Sequence, residues 1–330
     1  MKRHRHITAV LLLTGFVLGS IHFAEAEQPK KLLRIGYIAS STTDRRSTNT
    51  TAFRERLREL GYIEAQNIVT EYRYFEGKIE RLPELARELV RLKCDVIVTT
   101  GSEAADAAKK VIKTVPVVMA FSGDAVRLGI IADLARPGAN ITGLTSINAE
   151  LSGKRLELLK EVIARFSRMA LLWSPGNLNM EYVLRETVSQ AESLKIRVQS
   201  LEVKGPADFE EAFQAATRER TQALVLSGGG FFAAHQKRII DLAAKTRLPA
   251  VYPNVQYVEG GGLMAYGEDR VYMFRRAADY VDKILKGANP AELSVERPKD
   301  FELVINLKAA KQIDLTIPPN VLARADTVIK

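Results

Sequence analysis

Short runs of β-branched and aliphatic residues alternate along the chain with segments whose apolar positions recur every three to four residues. The first run, residues 32–39, reads as a strand. Residues 48–60 follow with Phe53, Leu57 and Leu60 on one helical face and Gly61 as a stop. The same alternation predicts strands at 68–75, 95–100, 115–121 and 141–145. Helices are expected at 80–92 and between 100 and 115, with a short one at 125–135. After a helix at 150–165 the rhythm restarts, with strands at 169–173, 196–202, 223–226, 249–252 and 262–266. A long helix at 271–285, a strand at 301–305 and a short helix at 307–312 complete it.

Strand and helix in turn at this spacing make βαβ units, whose parallel sheets are covered on both faces. Two such runs predict an α/β protein of two doubly wound, Rossmann-like domains. No low-complexity linker separates them, so a short hinge with several crossings is expected near 146–150, 258–262 and 293–300. The expected lobes are 27–148 plus 263–292, and 149–262 plus 293–330.

Composition agrees with this picture: 330 residues, 46% hydrophobic and 26% charged, suit two folded domains of ordinary size. The N-terminus departs from it. Residues 1–6 are basic, residues 7–21 are almost wholly apolar, and Ala24-Glu25-Ala26 has the small-x-small form of a signal-peptidase site. Fifteen helical residues reach only about 22 Å, short of a ~30 Å hydrocarbon core. A cleavable signal over residues 1–26 and a periplasmic destination are therefore expected. The only cysteine, Cys94, is far from the cleavage site and cannot carry a lipid anchor there.

The formal charge is +9, but the basic residues are scattered and interleaved with acids on the expected helices, as on solvated faces. This pattern and export argue against a nucleic-acid partner. A lone cysteine excludes an intrachain disulfide. Three of the four histidines lie in the signal, so a multi-histidine metal site cannot form, and any serine–histidine–aspartate triad would have to use His235. No G-x-G-x-x-G follows a strand, and neither a P-loop nor a G-x-S-x-G elbow is present. No cofactor, metal or catalytic residue is expected.

Ligands of open α/β sheets bind at the carboxyl ends of the strands. There the first domain offers Ser40, Ser41 and Thr42, then Gly101 and Ser102, then Ser122 and Asp124. The second offers Ser174 and Asn177, Ser227 and Gly228, and Tyr252. Hydroxyls and free N–H groups at helix starts suit a carboxylate or another anion, though the same residues also cap helices. Asp124 fits either a ligand amine or a cap. Phe121, Tyr252 and Tyr266 fit either a stacking ring or the core.

Several stretches in order resemble one family: 53–62 (FRERLRELGY), 95–101 (DVIVTTG), 135–143 (ARPGANITG), 154–161 (KRLELLKE), 261–267 (GGLMAYG), 280–288 (YVDKILKGA) and 301–309 (FELVINLKA). They are similar to the solute-binding proteins of ABC transporters of the tryptophan/tyrosine type. Ala125 and Ala265 stand where that family commonly has Pro and Ser. The resemblance implies a type 1 periplasmic binding fold that closes around a small organic solute, with an aromatic amino acid among those it allows. It also implies an inner-membrane permease and cytoplasmic ATPase as partners, and a monomer. A periplasmic sensor of the same fold, presenting solute to a membrane receptor, is the alternative.

Overall fold

In the computed structural model, which describes residues 32–176 and 178–330, the alternating pattern folds into two parallel-sheet α/β domains. The export segment expected at residues 1–26 and the candidate Asn177 lie outside the described residues. The first sheet holds β1 (Leu33–Ala39), β2 (Ile68–Tyr74), β3 (Val96–Thr100), β4 (Val117–Phe121) and β5 (Ile141–Gly143). Its order is β2-β1-β3-β4-β5, parallel throughout. The second sheet holds β6 (Arg168–Trp173), β7 (Arg197–Glu202), β8 (Ala223–Leu226) and β9 (Ala250–Tyr252). It continues with β10 (Met264–Glu268), β11 (Phe301–Asn306) and β12 (Thr327–Ile329). Its order is β12-β11-β10-β9-β8-β6-β7, with only the β10–β11 pair antiparallel.

The connecting helices are α1 (Thr48–Glu59), α2 (Leu82–Arg91) and α3 (Ser102–Val111) in the first half, then α4 (Ser152–Val162), α5 (Met180–Ser193) and α6 (Asp208–Arg218). They continue as α7 (Gly230–Ala234), α8 (Gln236–Lys245), α9 (Gln256–Glu259), α10 (Arg270–Leu285), α11 (Leu307–Gln312) and α12 (Pro319–Leu322). Each sheet is covered on both faces. Alternate residues of β1 show why: Ile35, Tyr37 and Ala39 pack with Phe53, Leu57 and α10, whereas Ile38 packs with Leu82, Leu89 and Ala104 on the opposite face. Gly36 keeps that second face open to α2, because a Cβ there would lie 2.9 Å from Leu89 Cδ1.

Three expectations need correction. Residues 264–268 were expected with the first lobe, but β10 pairs with β9 and β11 of the second sheet. The chain crosses only after Glu268, and α10 packs on the first sheet. Conversely, the segment 293–296, expected with the second lobe, lies on the first. The Val295 N–H donates to Leu134 O at 2.7 Å, and Glu296 bridges to Leu144. The return crossing therefore falls between Glu296 and β11. Finally, no helix forms at 125–135. A single turn ends where Gly129 takes φ +63°, with Ile130 N–H donating to Ala125 O at 2.8 Å and Gly129 N–H to Val126 O at 2.9 Å. This is a Schellman-type stop, which a glycine favours.

Candidate functional site

The carboxyl ends of both sheets face a common cavity of about 620 Å³, within the range of small-molecule sites. On the first lobe its wall begins at the end of β1. Ser40 donates its hydroxyl to Asp44 Oδ2 at 2.6 Å, and the Ser41 N–H donates to the same oxygen at 3.0 Å. This holds the 3-10 turn Thr42–Arg46, with Ser40 and Asp44 at the cavity. After β3, Gly101 takes φ +96° so that α3 can start at once. Ser102 Oγ then accepts the Gly123 N–H at 2.8 Å, joining this loop to the one after β4.

The second lobe contributes the loop after β8, where Ser227 leads into Gly228 and Gly229 at φ +85° and +107°, and the loop after β9 with Pro253 and Asn254. The lobes touch around the cavity. The Arg127 guanidinium lies 3.6 Å above the Tyr182 ring, and Thr48 Oγ1 donates to Glu259 at 3.4 Å.

Of the sequence candidates, Ser40, Gly101, Ser102, Ser227 and Gly228 come together at this cavity. Ser41, Thr42, Ser122, Asp124, Ser174 and Tyr252 do not line it. The Ser41 hydroxyl is paired with Thr43 at 2.6 Å, and the Thr42 N–H points outward to Glu76 at 3.0 Å. Ser122 and Ser174 are buried behind the wall. Asp124 accepts the Arg127 N–H at 3.1 Å, so it acts as a cap. Tyr252 is 1% exposed and stacked on Tyr257 at 4.8 Å between centroids, inside the core of the second lobe. The short strand β9 turns that ring away from the cavity, and Pro253 and Asn254 occupy the wall instead. Tyr266 packs against Phe301, while Phe121 does reach the cavity.

Sequence reasoning missed the charged and amide groups of the site. Arg270, the first residue of α10, places its guanidinium 4.1 Å above the Phe121 ring. Burial pushes its pKa down, and its Nε is closed to solvent without a hydrogen-bond partner. Asn49 Oδ1 and Gln256 Nε2, also at the cavity, are likewise buried and unpartnered. Glu103, 4% exposed at the start of α3, has its pKa raised by burial, although the backbone N–H groups of Glu103 and Leu178 hydrogen-bond to its carboxyl. Among the described residues no group of His, Cys, Asp and Glu could hold a metal ion. Unpartnered polar atoms at a cavity wall are groups kept for a ligand or for water.

Two wound domains with a cavity between their strand ends define a two-lobed solute-binding protein of the type 1 periplasmic kind. The chain belongs to the family described as ABC transporter substrate binding protein, whose model matches residues 36–329. A curated relative, the tyrosine-binding protein of Clostridioides difficile, is 20% identical over 263 residues, 80% of this chain and 75% of that one. A crystal structure of a conserved domain protein from Vibrio cholerae superposes with a TM-score of 0.82 at 27% identity, covering 91% of this chain and 100% of that one. An ABC domain from Streptococcus pneumoniae in complex with L-Trp gives a TM-score of 0.82 at 24% identity, with the same coverage.

Proposed function

We propose that the protein is the exported solute-binding component of an ABC importer. In this reading its two lobes close around a small organic solute and deliver it to a permease coupled to a cytoplasmic ATPase. The observation that carries it is the 620 Å³ cavity, walled by strand-end loops of both lobes and lined by buried polar atoms without protein partners. A solute there contacts both lobes only when they are together, and that differential contact is what drives closure. The L-Trp complex and the tyrosine-binding relative make aromatic amino acids the first solutes to test. The protein does no chemistry on its cargo.

A thermal-shift screen of ligand-stripped protein against amino acids, aryl acids and sugars tests this. A solute at 100 times its Kd stabilises the native state by about 2.7 kcal/mol. The expected result is a clear shift with at least one small solute, abolished by Ala233→Trp, which places an indole against the second-lobe wall. A shift that survives Ala233→Trp would put the solute elsewhere.

A further inference from the structure

We propose that Arg270 is the carboxylate anchor of the cavity, so that the cargo is a small organic solute bearing a carboxylate and not a neutral sugar or a simple amine. The inference rests on the cavity being the solute site and specifies what that site reads. Four observations converge on it.

First, Arg270 carries its charge where water does not reach Nε, and among the described residues no carboxylate is in ion-pair contact with it, Glu268 and Asp44 acting only from further off. Desolvating a guanidinium with no ion-pair partner is costly, and a contact with an aromatic face returns only part of that cost. Second, the neighbouring acids are committed elsewhere. Glu268 accepts the Ser146 hydroxyl and, at 2.9 Å, the Ile147 N–H through Oε1, while its Oε2 is buried without a partner. Asp269 caps α10 through the Tyr272 N–H at 2.8 Å, and Asp44 accepts from Ser40 and Ser41. Third, two guanidinium groups, the buried Arg155 and the half-buried Arg270, lie near the buried carboxylate of Glu268 at this crossing, with Asp44 also near Arg270, and neither guanidinium is ion-paired with Glu268 among the described residues. Fourth, Arg270 opens a 16-residue helix, so the helix dipole favours an anion at the same place. The guanidinium matches a carboxylate's two oxygens, and Gln256 Nε2 supplies another unpartnered donor at the same cavity.

Calorimetric titration of ligand-stripped wild type, Arg270→Gln and Arg270→Lys tests the assignment. The probes are L-tryptophan, L-tyrosine, L-phenylalanine and benzoate, with tryptamine, tyramine, phenethylamine, benzamide and D-arabinose as counterparts lacking the carboxylate. At least one acid should bind wild type, its counterpart at least about 30-fold more weakly. Arg270→Gln should lose a similar factor for the acid, since removing one partner of a buried charge pair costs at least about 2 kcal/mol. Arg270→Lys, which keeps the charge without the fork, should fall between. Without solute, Arg270→Gln should melt no lower than wild type, because it removes a half-buried charge that has no ion-pair partner; a merely structural arginine would not behave so.

Equal binding of acid and counterpart, or an Arg270→Gln protein that keeps full affinity for the acid, overturns the carboxylate assignment. A neutral sugar held equally by wild type and Arg270→Gln overturns it too, while leaving a solute-binding protein in place. A cavity that takes none of the nine probes overturns the carboxylate reading and removes the support for the proposed function as well.

Discussion

The guanidinium of Arg155 grips Asn148 twice: Nη1 donates to its carbonyl oxygen at 3.0 Å and Nη2 to its side-chain Oδ1 at 2.5 Å. Its Nε donates to Tyr266 O at 2.8 Å, so one side chain of α4 holds the first crossing segment to the strand that precedes the second. Burial pushes the pKa of Arg155 down to about 10, still charged at neutral pH. Because Oδ1 of Asn148 faces Arg155, its amide nitrogen is left for the cavity that Asn148 lines. Arg155→Met leaves three half-buried acceptor groups without this donor and should cost about 2–4 kcal/mol. Urea unfolding at pH 7 checks it, and an unchanged midpoint would deny the clamp. Asn148→Ala should weaken solute binding with a much smaller stability loss.

Two serines separate the cavity wall from its surroundings. Ser102 Oγ holds the Gly123 N–H at the wall, so Ser102→Ala should lower solute affinity by roughly tenfold, about 1.4 kcal/mol. Ser41→Ala removes a hydroxyl that does not itself line the cavity but pairs with Thr43, which does, and should change affinity by less than Ser102→Ala. Titrations of the two variants side by side give the comparison.

Gly267 in β10 meets the loop that carries Pro253 and Asn254. A Cβ there would stand 2.1 Å from Pro253 O, and backbone cannot give way as a flexible side chain can. Gly267→Ala should destabilise the protein by about 1–3 kcal/mol or more and weaken solute binding at the same time, since the displaced loop is part of the wall. Melting and titration of one preparation would show whether the two losses travel together.

Glu302 on β11 is pushed up to about 7, first by burial and then by the nearby charges of Asp269 and Asp326. Between its ordinary value of 4.5 and about 7, the folded protein holds a proton that the unfolded chain has released. Stability from this group therefore falls as pH rises through that window and levels off above it. Glu302→Gln should match wild type near pH 4 and melt higher at pH 8. Melting curves across this range test the sign.

Much of the fold was legible because period-two runs and 3.6-residue faces mark elements by their burial, and Gly61 and Gly287 punctuate helices. Pairing partners are another matter. The apolar run at 262–266 announced a strand, but nothing in it says that β10 joins β9 and β11 while the next helix packs on the other lobe. The site was readable as strand-end loops, which yielded Ser40, Gly101, Ser102, Ser227 and Gly228. It was less readable at side chains whose direction depends on tertiary packing. Tyr252 points inward because of the pleat of a three-residue strand, and Arg270 looks in sequence like any basic residue at a helix start. The helix expected at 125–135 was lost to a single glycine in the left-handed region.

Under the proposed function, solute draws the two lobes together around the cavity. Spin labels at Glu80→Cys on the first lobe and Lys204→Cys on the second measure this directly by electron–electron distance. Native Cys94 does not compete for label, since it is buried and its thiol is pushed up to about 11. Without solute the distance distribution should be long and broad, and a saturating solute from the screen should shorten and narrow it. A solute that binds tightly yet leaves the distribution unchanged would contradict the account.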